Sequence, residues 1–428
     1  VTALDMNPDM NPAAAPMTEP VPPRRRRIPG WAVGMLWVAV AVVVLSTTSY
    51  LTGLPQLTSS GTAQSALRLA LPIMLAGLGG LWAERAGVVN IGLEGMMILG
   101  TWGAAWAGYQ WGPWAAVVAA VAFGALGGLV HAVATVTFGV NHIVSGVAIN
   151  LLGAGLTKYL STLLFEPISR NPRESPIVPK FDTYSAQPLG DWLGELEDMQ
   201  RVGLSDVAGI LRGLVTGVSP LTMIALLLVP VSFLVLWRTP FGLRLRSCGE
   251  NPVAAESLGV NVYRYKYLAV IASGALAGLG GAALVLQPGQ PGYLEGQTGN
   301  RGYIGLAAMI FGNWRPGGLL GGSALFGFAD ALQLRSGGAT VHALLYGASL
   351  VVAALVVVQL FRRNWIAVVV GALSASVLYA IYWYTDELPE QLTTYAPQFV
   401  TLIVLAVSAQ RLRPPAANGV IYRRGEGD

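Results

Sequence analysis

The sequence predicts an all-α protein, a polytopic transmembrane helical bundle of about 10–12 membrane segments, some of them broken. Three observations carry this expectation. Of the 428 residues 54% are hydrophobic and only 11% are charged, where an average soluble domain carries about 25% charged residues. Apolar runs close to the ~20 residues a helix needs to cross hydrocarbon recur along most of the chain. Glycine, with 53 residues, is abundant. Small residues let membrane helices approach closely where no hydrophobic force drives them together.

The elements follow in order. Residues 1–30 are rich in Pro, Ala, Met and Asn and end in four arginines at 24–27, the pattern of a disordered cytoplasmic tail. The run 31–50 exceeds the ~7–15-residue apolar core of a secretory signal and reads as the first span. Further spans are expected at 65–82, 88–108, 113–137, 142–164, 219–237, 267–287, 317–335, 339–361, 364–384 and 397–411. The membrane domain is therefore 31–411, and 412–428 forms a second cytoplasmic tail. Residues 301–312 are apolar but too short to cross, and polar Asn313, Trp314, Arg315 and Pro316 follow. A broken or re-entrant helix is expected there.

Charge sets the orientation. The stretch 238–266 carries five basic residues against two acids, and Arg362-Arg363 and the tail beyond 411 are also basic. The connection 165–218 carries eight acids against five bases, and 386–390 is acidic. The positive-inside rule places the basic group in the cytoplasm, 165–218 outside and both termini inside. Threading the expected spans in order places 165–218 outside and 238–266 inside.

An internal echo is present. The string LAGLGG at 75–80 recurs at 276–281, and Ile91-Gly92-Leu93 with Met96 is matched by Ile304-Gly305-Leu306 with Met309. With 65–82 and 267–287 crossing in opposite senses, the echo predicts an inverted repeat, an architecture that places a transport pathway at the repeat interface.

The residues exclude several classes. One cysteine, Cys248, forbids an intrachain disulfide, and three scattered histidines lack metal-ligand spacing. No GxxxxGK[ST] loop exists to hold nucleotide phosphates. No catalytic residues, cofactor, metal or nucleic-acid partner are expected. Among the spans only Glu94 and Asp330 are deep carboxylates, which counts against a proton relay. In the cytoplasmic segment, Asn251 can cap a helix with Pro252 at its first position, and Gly259 can close it in a left-handed conformation. The alternative is an ordinary solvated loop.

That segment carries a family resemblance. ENPVAAESLG at 250–259 with NVYR at 261–264 resembles the coupling segment of ABC importer permeases of the ribose and branched-chain amino-acid type. The stretches 84–97 (ERAGVVNIGLEGMM), 304–316 (IGLAAMIFGNWRP), 329–335 (ADALQLR) and 413–419 (RPPAANG) resemble the nucleoside and simple-sugar branch. The long N-terminal tail and the extra pair of spans in 339–384 depart from it.

The resemblance implies a plasma-membrane, multi-pass permease subunit and no enzyme. It would be driven by a separate ATPase subunit docked at Glu250, Asn251, Pro252, Ala254, Ala255 and Gly259. An external substrate-binding protein or lipoprotein would deliver substrate, and a second, related permease would complete the pore in the lipid. A pathway for uncharged nucleosides would draw on Asn90, Asn150, Gln297, Asn300 and Tyr303, whose other reading is interhelical glue. Glu94 either lines that pathway or holds a broken helix near Gly92 and Gly95. A simple-sugar permease is the neighbouring reading, and an ion- or proton-coupled carrier the rival from another class.

Overall fold

The computed structural model describes residues 30–385 and 412–425. It divides into two compact units, 1–42 and 43–428. In the first, the described residues 30–42 are the apolar opening of helix α1 (Gly30–Thr52). The rest of the chain runs as α2 (Ser60–Arg85), α3 (Leu93–Trp111), α4 (Pro113–Ala132), α5 (His142–Leu164), α6 (Glu166–Ser169), α7 (Gln187–Asp198), α8 (Leu204–Val215) and α9 (Pro220–Arg238). It continues as α10 (Pro240–Glu250), α11 (Pro252–Ser257), α12 (Val262–Val285), α13 (Arg301–Phe311), α14 (Pro316–Phe361) and α15 (Trp365–Tyr384). Eight helical stretches among the described residues are long and apolar enough to cross a membrane.

Helix α2 lies at the centre of the second unit: every residue from 69 to 81 is buried. Helix α12 packs against it in the opposite sense. At one end the Ser60 N–H donates to Glu197 Oε1 at 2.9 Å, and Lys180 Nζ donates to the Val285 carbonyl at 2.6 Å. Burial there draws the Lys180 ammonium down to about 8. At the other end Arg85 pairs with Glu250 at 3.9 Å.

Glycine brings α4 and α12 into contact. Gly124 and Gly128 on α4 face Gly274 and Gly278 on α12, each pair at GxxxG spacing. A Cβ on Gly124 would lie 2.7 Å from Gly278 Cα, and one on Gly274 would lie 2.8 Å from the Gly128 nitrogen. Only the absence of side chains permits this approach, in which packing and backbone contacts replace the hydrophobic effect.

Several expectations are corrected. The spans predicted at 317–335 and 339–361 are one helix: α14 runs unbroken for 46 residues, about 69 Å at 1.5 Å per residue. Ser336-Gly337-Gly338 has the look of a break, but it contains no proline, and glycine is tolerated in apolar helices. Arg315 and Arg362-Arg363 thus stand at opposite ends of one unbroken helix. Helix α3, expected to span, is not among the eight apolar stretches; it is a mostly buried inner helix rich in glycine. The span expected at 397–411 lies outside the described residues, as does most of the tail 1–30.

The connection 165–218 was read only as a polar link. It contains α7 and α8, packed on the first turns of α2. Asp206 in the first turn of α8 is bound by Ser46, Thr58 and the Gly203 N–H. Burial would raise that carboxyl, but these hydrogen bonds outweigh it and hold it below the usual carboxylate range.

Candidate functional site

Two helices have their first turns held by polar side chains from elsewhere in the unit. Helix α13 is 11 residues long and starts after Asn300, which is held left-handed at φ 64. A helix start leaves backbone N–H groups without partners. Here a carboxylate from another helix supplies them. Glu94, the second residue of α3, accepts from the Asn300 N–H at 3.1 Å and from the Gly302 N–H at 2.7 Å. The side chain is buried, and a carboxylate facing a helix N-terminus is favoured by charge as well as by hydrogen bonding.

The turn into α3 is built the same way. Asn90 Oδ1 accepts from the Gly92 N–H at 3.0 Å while its Nδ2 donates to Ser273 Oγ at 2.9 Å. Asn150 Oδ1 accepts from the Gly95 N–H at 2.7 Å. Its Nδ2 donates to the Ile91 carbonyl at 3.0 Å and to the Tyr303 hydroxyl at 2.7 Å. Thus Asn90, Glu94, Asn150, Asn300 and Tyr303, picked separately from sequence, meet in one knot that joins α3, α5, α12 and α13.

Gln297 stands beside this knot but is not part of it. Its Oε1 accepts from the Leu294 N–H at 3.1 Å, and its buried Nε2 has no partner. Arg301 was not singled out from sequence. It pairs with Asp330 of α14 at 3.5 Å, both side chains being largely buried. Opposite charges in two apolar segments were the signal available for it.

The opposite end holds the segment singled out for coupling. Asn251 Oδ1 accepts from the Ala254 N–H at 3.0 Å, Pro252 opens α11, and Gly259 follows with φ +82. The Gly259 N–H donates to the Glu256 carbonyl at 2.8 Å and the Val260 N–H to the Ala255 carbonyl at 3.0 Å. This double cap is the Schellman motif that a left-handed glycine makes possible. The predicted helix is present with both ends as expected.

Its faces are unequal. Pro252 and Ala255 are buried, whereas Val253, Ala254, Ser257 and Leu258 are exposed, Leu258 to 84%. Of the small pair expected to seat a partner, Ala254 therefore faces out and Ala255 packs inward beside Cys248, Val262 and Tyr422. Burial also pushes the Cys248 thiol up to about 11, so it stays protonated at neutral pH.

Sequence reasoning missed the strap that covers this inner face. The Ala417 N–H donates to the Gly249 carbonyl at 2.9 Å and the Gly419 N–H to the Gly87 carbonyl at 3.2 Å. Asn418 Nδ2 and Trp314 Nε1 both donate to Glu84 Oε2, at 2.8 and 2.6 Å. Glu250 accepts from the Ala416 N–H at 3.2 Å, so it is engaged by its own chain. Glu256 binds the Tyr422 hydroxyl and pairs with Arg424 at 2.9 Å. Burial and that carboxylate hold the Tyr422 phenol above its ordinary range.

Comparison with known proteins bears on both regions. Residues 62–354 match the family described as "Branched-chain amino acid transport system / permease component". The chain is 32% identical over 364 residues to a guanosine ABC transporter permease protein of Bacillus subtilis, covering 83% of this chain and 94% of that one. It is 32% identical over 358 residues to a nucleoside ABC transporter permease protein of Lactococcus lactis, covering 82% and 93%. A provisionally named glucose ABC transporter permease protein of Haloferax volcanii is 36% identical over 285 residues, covering 65% and 78%. No solved structure matches.

Proposed function

The chain belongs to the family of branched-chain amino acid transport system permease components, and from that premise we propose that its cargo is nucleosides. It is the membrane-spanning permease subunit of an ABC importer, a multi-pass plasma-membrane protein. The observation that carries the nucleoside reading is the 32% identity to a guanosine permease and to a nucleoside permease across more than four-fifths of the chain. The match at 62–354 contains both the Glu94 knot and α11.

A permease of this family works with an ATPase and a substrate-binding partner. In this reading the ATPase seats on the outward face of α11, and Asn251, Pro252 and Gly259 fix its shape from below. Substrate passes beside the Glu94 knot, and a second, related permease completes the pore. Support for a passive role of Asn90, Glu94 and Asn150 is that their side chains are engaged with backbone groups. A simple-sugar cargo is the second reading, favoured by the glucose relative. Uptake of labelled uridine, adenosine, glucose and leucine in cells with and without the gene decides between them. Loss of nucleoside uptake alone is expected; loss of glucose uptake alone would replace the nucleoside reading by the sugar one.

The connection 165–218 lies outside in this reading, and 238–266 and 412–428 lie in the cytoplasm. The support is their charge, together with their positions at opposite ends of α2. Cysteines placed singly at Ser185 and Ser257 in a Cys248→Ser background should differ. Position 185 alone should react with an impermeant thiol reagent on intact cells, and the reverse pattern would invert the assignment. The echo is read as an inverted repeat. In support, Gly77 of α2 packs on α13, where its Cβ would lie 2.6 Å from the Gly305 carbonyl. Gly278 of α12, its counterpart in the echo, packs on α3, where a Cβ on Gly100 would lie 2.4 Å from the Gly278 Cα.

A further inference from the structure

Buried polar atoms in folded proteins find partners, and an exception calls for a reason. Among the described residues five buried side-chain atoms have none, and two of them are Gln297 Nε2 and Arg301 Nε, four residues apart at the entry to α13. Both are donors. Arg301 Nη1 is engaged by the Gln297 and Thr298 carbonyls at 3.3 Å each. Its Nη2 reaches Asp330 Oδ2 only at 3.5 Å, attraction by charge rather than a well-formed hydrogen bond. Asp330 has no other partner among the described residues. Arg301 thus stands between two residues with unfilled hydrogen-bonding capacity: Gln297, whose backbone carbonyl it holds, and Asp330, whose carboxylate it faces.

We propose that Gln297, Arg301 and Asp330 form a subsite for the vicinal hydroxyl pair of a sugar ring, the ribose of a nucleoside. The inference rests on the nucleoside reading above. A hydroxyl both donates and accepts, so two adjacent hydroxyls need acceptors and donors side by side. A carboxylate takes their protons, as an acidic residue does with ribose hydroxyls in dinucleotide folds. The free guanidinium and amide N–H groups donate to their oxygens. The charged pair is neutral as a unit, so it suits an uncharged polyol; a lone charge there would call for a counter-ion. Arg301 is also held in place. Glu94 binds the backbone of Asn300 and Gly302 on either side of it, and a fixed guanidinium is what selective binding needs.

The test uses the purified permease with its ATPase, without the external binding protein, whose own selectivity would mask the subsite. Melting temperature is read with millimolar uridine, ribose and 2′,3′-dideoxyuridine. Uridine and ribose should raise it, because a ligand that binds only the folded state stabilises it. Dideoxyuridine should not. Asp330→Asn should abolish the uridine shift, and Gln297→Ala, which disturbs no charge, should weaken it even if Asp330→Asn fails to assemble. Equal shifts with uridine and dideoxyuridine, no shift with uridine, or a full uridine shift in Gln297→Ala would overturn the subsite. Uridine uptake by cells carrying the gene separates the failures. Uptake without a shift removes the subsite and leaves the nucleoside reading standing; absence of uptake removes both.

Discussion

The Glu94 knot and the α11 corner are both made of short helices closed by polar caps, yet they direct their side chains oppositely. In the knot, Asn90, Glu94 and Asn150 turn inward and are used on backbone N–H and carbonyl groups of neighbouring segments. At α11 the caps close the helix locally, the strap covers its inner face, and Val253, Ala254 and Leu258 are left bare. The difference separates a device that holds shape from a face left open to solvent. A polar residue deep in a membrane protein is not thereby a pathway residue. Its partners decide.

The largest expected effect lies in the knot. Glu94→Ala leaves the buried Gly302 N–H without an acceptor, at about 1–3 kcal/mol, and frees the more exposed Asn300 N–H at a smaller cost. A marked loss of thermal stability in the purified protein is expected. Glu94→Gln keeps one acceptor oxygen and should lose about half as much. Wild-type melting of Glu94→Ala would show that the carboxylate holds nothing. At α11 the two alanines should part company. Ala255→Trp forces bulk against Cys248 and Tyr422 and should cost about 1–3 kcal/mol. Ala254→Trp, on the exposed face, should stay within about 0.5 kcal/mol of wild type. Equal melting of the two variants would erase the distinction between the faces.

How far the sequence could be read depended on how local each cause was. Asn251, Pro252 and Gly259 announce α11 because cap, first-turn proline and left-handed glycine act within nine positions of one another. The depth of Glu94 was legible too, and so was its second reading as the holder of a broken helix. The helix it holds was not: the partners Asn300 and Gly302 lie more than 200 positions away. The break expected at 336–338 failed because glycine in an apolar helix looks like punctuation in a soluble one. The facing of Ala254 against Ala255 was hidden because a six-residue helix shows too little periodicity, and its inner side is fixed by a strap some 160 residues downstream.

The central claim is that energy enters through the outward face of α11 while the Glu94 knot only preserves shape. Solubilised transporter carrying Ala254→Trp, Glu94→Gln or neither is pulled down through the permease, and bound ATPase is measured beside labelled uridine uptake in the same cells. The account predicts that Ala254→Trp reaches the membrane in normal amount but loses both ATPase and uptake. Glu94→Gln should retain the ATPase and lose uptake in step with its lost stability. Full ATPase binding and full uptake in Ala254→Trp would contradict the account.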